Sequence, residues 1–181
     1  MWAGTLRAGP VAVARARDMY AEGHGRMLVK VASLWPVADA SGGQADQAAM
    51  MRYLSEMIWF PAAFLAGNIS FEAVDDSSAR VTLTDRGQTA TATLFFDEQG
   101  RLIDLVAKRY RTADASDPET WSTPVTGYGE FGGLRLPARG KAIYKLPGGD
   151  LDYIDVTITG LRYDTGPADT LSAAPASKGM A

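Results

Sequence analysis

From Ile69 onward, turn-forming residues recur about every ten to thirteen positions, and this spacing constrains the fold more than any other feature. Asp75-Asp76-Ser77-Ser78, Asp85-Arg86-Gly87 and Asp97-Glu98-Gln99-Gly100 separate segments of strand-like composition at 69–74, 79–84, 88–96 and 101–111. Short strands punctuated at regular intervals are the signature of an antiparallel meander. A polar loop holding Pro118 and Trp121 follows over 112–123. Three more strands are then expected at 125–131, 134–146 and 151–163, punctuated by Gly132-Gly133 and Pro147-Gly148-Gly149-Asp150.

Upstream, residues 11–20 alternate. Val11, Val13, Arg15, Arg17 and Met19 share one face, and Ala12, Ala14, Ala16, Asp18 and Tyr20 share the other. Glu22-Gly23-His24-Gly25 supplies turn chemistry, and 26–35 reads as a second strand stopped by Pro36, which makes a hairpin. Small residues over 37–43 suggest a loop.

The stretch 46–59 holds no Gly or Pro and is rich in helix formers. At about 100° per residue, Met50, Tyr53, Leu54, Met57, Ile58 and Phe60 fall on one face, with Arg52, Ser55, Glu56 and Trp59 opposite. Asp46 suits the first turn by capping and dipole. Pro61 ends the run or opens a short second helix, and Gly67-Asn68 closes it. About nine strands and one main helix without βαβ alternation predict a mainly β (α+β) fold. The expected architecture is a strongly bent antiparallel sheet, or half-open barrel, with the helix on its concave face or in its mouth. Ala90 and Ala92, or Ala12, Ala14 and Ala16, offer small surfaces for a close helix approach. Residues 1–163 read as a single β-rich domain, and the Ala/Ser/Pro/Gly tail over 164–181 as disordered.

Composition narrows the function. An apolar fraction of 46% in 181 residues supports a core burying roughly two-thirds of the unfolded surface. The absence of cysteine excludes disulfides, thiolate nucleophiles and Cys-based metal sites. A net charge of −3 argues against a nucleic-acid partner. No run approaches the roughly 18–20 apolar residues of a membrane span, and the first residues lack a signal-peptide core, so the chain reads as cytoplasmic. His24 is the sole histidine, which removes multi-His metal sites and leaves a Ser-His-Asp triad dependent on a hairpin turn. Asp75-Asp76 lacks the spaced carboxylates of a calcium loop, and no helix or Lys-Ser/Thr pair follows the glycines of 127–133. No metal and no cofactor are expected.

The remaining candidates are few. Glu56, flanked by apolar residues, is a candidate general base, although Arg52 one turn earlier is placed to pair with it. Glu130 is a second candidate base. Arg109 and Arg111 share a strand face and could clamp a carboxylate or phosphate. Trp59 projects opposite the Met/Leu stripe, where an exposed indole implies a ligand, a loop or a partner. Three readings follow. The first is a module binding a small apolar or amphipathic ligand between sheet and helix, lined by Tyr53, Met57, Trp59, Tyr128 and Tyr144 and anchored by Arg109 or Arg139. The second is an enzyme of general acid/base chemistry in that cavity, with Glu56 or Glu130 as base and Arg109 as oxyanion partner. The third is an interaction protein with Trp59 at a homodimer contact.

Several motifs carry a resemblance. The run from Arg52 to Leu65 (RYLSEMIWFPAAFL), Asp75-Asp76-Ser77-Ser78-Ala79-Arg80-Val81, Arg109-Tyr110-Arg111, the run from Tyr128 to Pro137 (YGEFGGLRLP) and Gly160-Leu161-Arg162-Tyr163 resemble those of a family of uncharacterised bacterial proteins of unknown function. The likeness covers roughly 5–163 and implies membership without an activity. It also implies that an N-terminal segment precedes this start in other members. The order of strands and helix is similar to the half-barrel carriers of lipids and lipoproteins, a likeness of topology alone.

Overall fold

The structure, a computed structural model, describes residues 1–31 and 35–163; the tail expected to be disordered, 164–181, lies outside the described residues. The upstream hairpin is part of a four-stranded antiparallel sheet paired in chain order: β1 (Trp2–Ala8), β2 (Val11–Ala21), β3 (His24–Val31) and β4 (Trp35–Ala40). Glu22 and Gly23, at φ 54° and 83°, form the two-residue turn between β2 and β3, and positive φ at both positions matches the twist of the flanking strands. His24 is therefore not a turn residue but opens β3 opposite Ala21. The small residues after Pro36 form an edge strand rather than the expected loop. The β3–β4 register shifts between Val29 and Lys30, where Pro36 has no N–H to donate.

The second sheet is the expected meander: β5 (Ile69–Asp75), β6 (Ser78–Asp85), β7 (Gln88–Phe96), β8 (Leu102–Arg109), β9 (Glu119–Ser122), β10 (Val125–Phe131), β11 (Leu134–Leu146) and β12 (Gly149–Thr157). Sequence neighbours pair from β5 to β9, and β9 and β10 follow one another along one edge of β11 while β12 takes its other edge. The break between β9 and β10 falls at Thr123-Pro124. There the Thr123 N–H goes to the Leu105 carbonyl at 2.9 Å, and the Pro124 carbonyl accepts from the Lys141 N–H at 3.1 Å. The sheet curls into an antiparallel half-barrel. Twelve strands are described against about nine expected; β1, β4 and the short β9, hidden in a polar loop, account for the difference.

The helix α1 (Gly43–Glu56) lies in the concavity of this sheet and runs on through 3-10 turns at Met57–Trp59 and Pro61–Leu65, the second with Pro61 at its start. Met50, Met51, Leu54 and Met57 are at most 2% exposed. They pack on Val81, Leu83, Leu94, Leu105, Trp121 and Tyr144. Ala90, Ala92, Ala107 and Ala142 complete this cluster; side chains this small admit the helix close to the sheet. Burying four side chains of this size contributes on the order of 2 kcal/mol each before entropy is charged.

The opposite face of α1 is covered by the four-stranded sheet, so the helix is the middle of three layers, packed against β2 and β3 on one side and β7 and β8 on the other. Arg52 donates through Nε to Asp18 of β2 at 2.9 Å and through Nη1 to Glu56 at 2.9 Å, and Asp18 is only 5% exposed. Asp46 sits in the first helical turn but makes no side-chain cap. Its carboxylate instead accepts the Gly25 N–H of β3 at 2.7 Å. Gly25 is fixed by proximity, since a Cβ there would lie 2.3 Å from the Ala45 carbonyl oxygen. At the hairpin end, the Tyr20 hydroxyl donates to Asp85 at 2.8 Å and the Gln88 amide to the Gly23 carbonyl at 2.6 Å, which ties the two sheets together.

Candidate functional site

A cleft of about 460 Å³ opens where the 3-10 turns leave the concave face incompletely filled. Pro61 explains the opening: it stops the α-helix pattern and swings the chain into the second 3-10 turn, so Ile58, Pro61 and Phe64 form a roof instead of continuing the buried stripe. Leu94 and Phe96 of β7, Leu102 of β8 and Tyr128 of β10 make the floor, with Phe71 and Pro137 at the sides. Phe64 and Phe71 face each other at 5.9 Å between centroids. Tyr128 is held by a 2.8 Å bond from its hydroxyl to the Leu102 carbonyl, and burial raises its phenol pKa.

Two arginines border the cleft. Arg101 is satisfied by Asp97 at 2.7 Å. Arg135 lies over the Tyr128 ring, its guanidinium carbon 5.9 Å from the centroid. Glu130 stands opposite Arg135 in the β10–β11 register, yet no ion pair joins the two among the described residues. None of the lining residues is a carboxylate. A polar hollow lined by Asp76, Ser77, Asp97 and Glu98 adjoins the cleft and shares Phe96 and Gly100 with it. The combined surface is apolar within and polar at its mouth.

The residues singled out from sequence are spread over the molecule. Tyr128 lines the cleft. Met57 and Tyr144 belong to the packed core. Tyr53 is half-exposed and stacks at 6.1 Å on Tyr20. Trp59 is partly buried, its indole N–H donating to the Pro137 carbonyl at 2.9 Å, and its own carbonyl accepts from Tyr163. Arg139 is exposed on β11, beside Gly127 of β10 and Thr157 of β12. Glu56 is bound up with Arg52, and Glu130 is exposed. Arg109 is buried at the far end of β8 with Tyr144 and Tyr153, while Arg111 lies past the strand and is exposed. Glu56, Glu130 and Arg109 are not brought into contact with one another. The roof and floor residues Ile58, Phe64, Phe96 and Leu102 were not among the sequence candidates. Their one sequence signal is that they flank breaks, Pro61 on one side and the 97–100 turn on the other.

Among the described residues no helix is long and apolar enough to cross a membrane, and no group of three metal-ligating side chains occurs. Fold and cleft together define a mainly β protein built as a curled half-barrel around one helix. The model of a family of unknown function, DUF6544, matches residues 1–156, and the chain belongs to that family. No curated protein and no solved structure matches the chain significantly.

Proposed function

We propose that the protein binds a small apolar or amphipathic ligand in the cleft between the 3-10 turns and the curled sheet. The observation that carries this reading is the cleft itself. Its volume of about 460 Å³ falls in the range of ligand sites, and its walls are aromatic and aliphatic. At ~30 Å³ per water-sized group, it has room for on the order of fifteen such groups. Its mouth offers Arg135 and the polar 97–100 turn to a polar end. The lining supports binding over acid/base chemistry, because it contributes no carboxylate.

Titration with N-phenyl-1-naphthylamine, whose fluorescence rises on leaving water, tests the proposal. Saturable binding is expected, with displacement by a medium-chain alcohol or fatty acid. Phe71 is 53% exposed, so Phe71→Glu should fold normally while placing a charge against the ligand and weakening binding about tenfold or more. Absence of saturable binding by the probe and by both competitors would overturn the reading.

A further inference from the structure

Arg109 is a buried cation without a counter-charge beside it among the described residues. It is 7% exposed, and among the described residues no carboxylate lies within ion-pair distance of it. Asp18, in contrast, is matched by Arg52. Arg109 is held by an unusual set of neighbours. Nε donates to the Ala48 carbonyl of α1 at 3.0 Å; Nη1 donates to the Tyr144 hydroxyl and, at 3.4 Å, to that of Tyr153. The guanidinium also lies over Trp121 at 5.0 Å and Tyr144 at 5.9 Å.

A count of donors shows what is left over. A guanidinium has five N–H groups. The contacts above use the Nε hydrogen and both on Nη1, so the two on Nη2 have no acceptor among the described residues, and Nη2 is not among the sealed atoms lacking a partner. Tyr144 passes its proton to the Tyr110 carbonyl at 3.2 Å. Tyr153 stands beside Tyr144, hydroxyl next to hydroxyl. Its oxygen accepts from Arg109 and, at 3.0 Å, from the Trp121 indole, and apart from the neighbouring Tyr144 hydroxyl its own O–H finds no acceptor among the described residues. Tyr153 stacks on Tyr144 at 5.2 Å and is 41% exposed, so this hydroxyl stands at the edge of the cluster.

From these observations we infer that Arg109 and Tyr153 form a binding site for a small oxyanion of the carboxylate or phosphate class. The anion accepts from the free Nη2 edge and from the Tyr153 O–H, and supplies the charge the buried guanidinium lacks. Trp121 and Tyr144 fix the guanidinium plane; Trp121 also orients the Tyr153 oxygen as an acceptor, which leaves its proton for the ligand. The site lies at the opposite end of β8 and β11 from the apolar cleft and does not depend on it.

Calorimetric titration of the full chain with sodium phosphate and with sodium acetate, against sodium chloride at equal ionic strength, tests the inference. Saturable binding of phosphate or acetate is expected, with none for chloride. Tyr153→Phe keeps the exposed ring and removes only the hydroxyl. It should weaken that binding about tenfold, the effect of one hydrogen bond to a charged group, and should leave N-phenyl-1-naphthylamine binding unchanged. Arg109→Lys, checked for an unchanged circular dichroism spectrum, should weaken it further. Absence of saturable binding, or equal affinity in wild type and Tyr153→Phe, would overturn the site and leave an adventitious ion only.

Discussion

The two faces of α1 solve the same burial problem by different chemistry. Toward the curled sheet the helix presents Met50, Met51, Leu54 and Met57, all nearly inaccessible, against side chains of which the only polar groups are on Trp121 and Tyr144. Toward the four-stranded sheet it presents Asp46, Arg52 and Glu56, joined to Gly25 and Asp18 by short hydrogen bonds. The first contact is non-directional and scales with area. The second is directional and gives little net stability, but it costs much if half of it is removed. The helix is therefore anchored in the half-barrel by area, and the four-stranded sheet is set on it at a defined position by geometry.

Truncation of the apolar face should cost most. Leu54 is 0% exposed, so Leu54→Ala is expected to destabilise by about 3–4 kcal/mol through lost transfer energy and the cavity left behind, read as a lowered midpoint in urea. Asp18→Ala should cost about 2 kcal/mol, below the usual figure for breaking a buried pair because Arg52 keeps Glu56 and is 15% exposed. The double variant Asp18→Leu/Arg52→Met sharpens the distinction. If the ion pair chiefly sets position, the double variant should recover most of the stability lost in Asp18→Ala. A double variant as unstable as Asp18→Ala would show that the pair is a net source of stability.

Gly25 tests whether that interface tolerates movement. An added Cβ meets backbone, the Ala45 carbonyl at 2.3 Å, as well as the Ala49 methyl at 2.7 Å, so one layer must shift. Gly25→Ala is expected to cost about 2 kcal/mol, within the range for overpacking. It should also raise amide exchange in β2 and β3 more than in β6–β8. Uniform exchange changes across both sheets would show that the two faces of the helix behave as one unit.

The sequence revealed the half-barrel and the β2–β3 hairpin but hid that the hairpin forms a layer over the helix, for one physical reason. A meander writes itself locally, through turn residues such as Asp85-Arg86-Gly87 and Asp97–Gly100 that act within a few positions. The helix stripe of Met50, Leu54 and Met57 is equally local. Covering the Arg52–Glu56 face depends on Asp18, which is 34 residues away from Arg52 and is read in isolation as one polar residue on a strand. For the same reason Trp59 looks exposed until Pro137, 78 residues on, supplies an acceptor. Strand β9 was illegible because its four residues lie in polar sequence and are held by β8 and β11. The cleft was partly legible. Tyr128 was among the expected lining residues and lines it, whereas its roof arises from where Pro61 redirects the chain.

Asp104 extends the comparison to a half-buried carboxylate that makes no ion pair among the described residues. It alternates with Leu105 and so sits on the side of β8 facing away from the helix. One oxygen accepts from Ser122 at 2.7 Å, and the other is sealed without a partner. Burial raises its pKa, opposed by the bond from Ser122. A carboxyl whose folded pKa lies above its unfolded value of about 4 binds the proton more tightly when folded. Its contribution is therefore fully present below the unfolded pKa and is lost as pH rises through the folded one. Ionisation of Asp104 therefore weakens the fold. Asp104→Asn should accordingly raise the urea midpoint slightly at pH 7, and that advantage should shrink as pH falls toward the unfolded carboxyl value of about 4. An advantage that persists undiminished at pH 4 would show that side-chain charge at Asp104 is not what limits stability there.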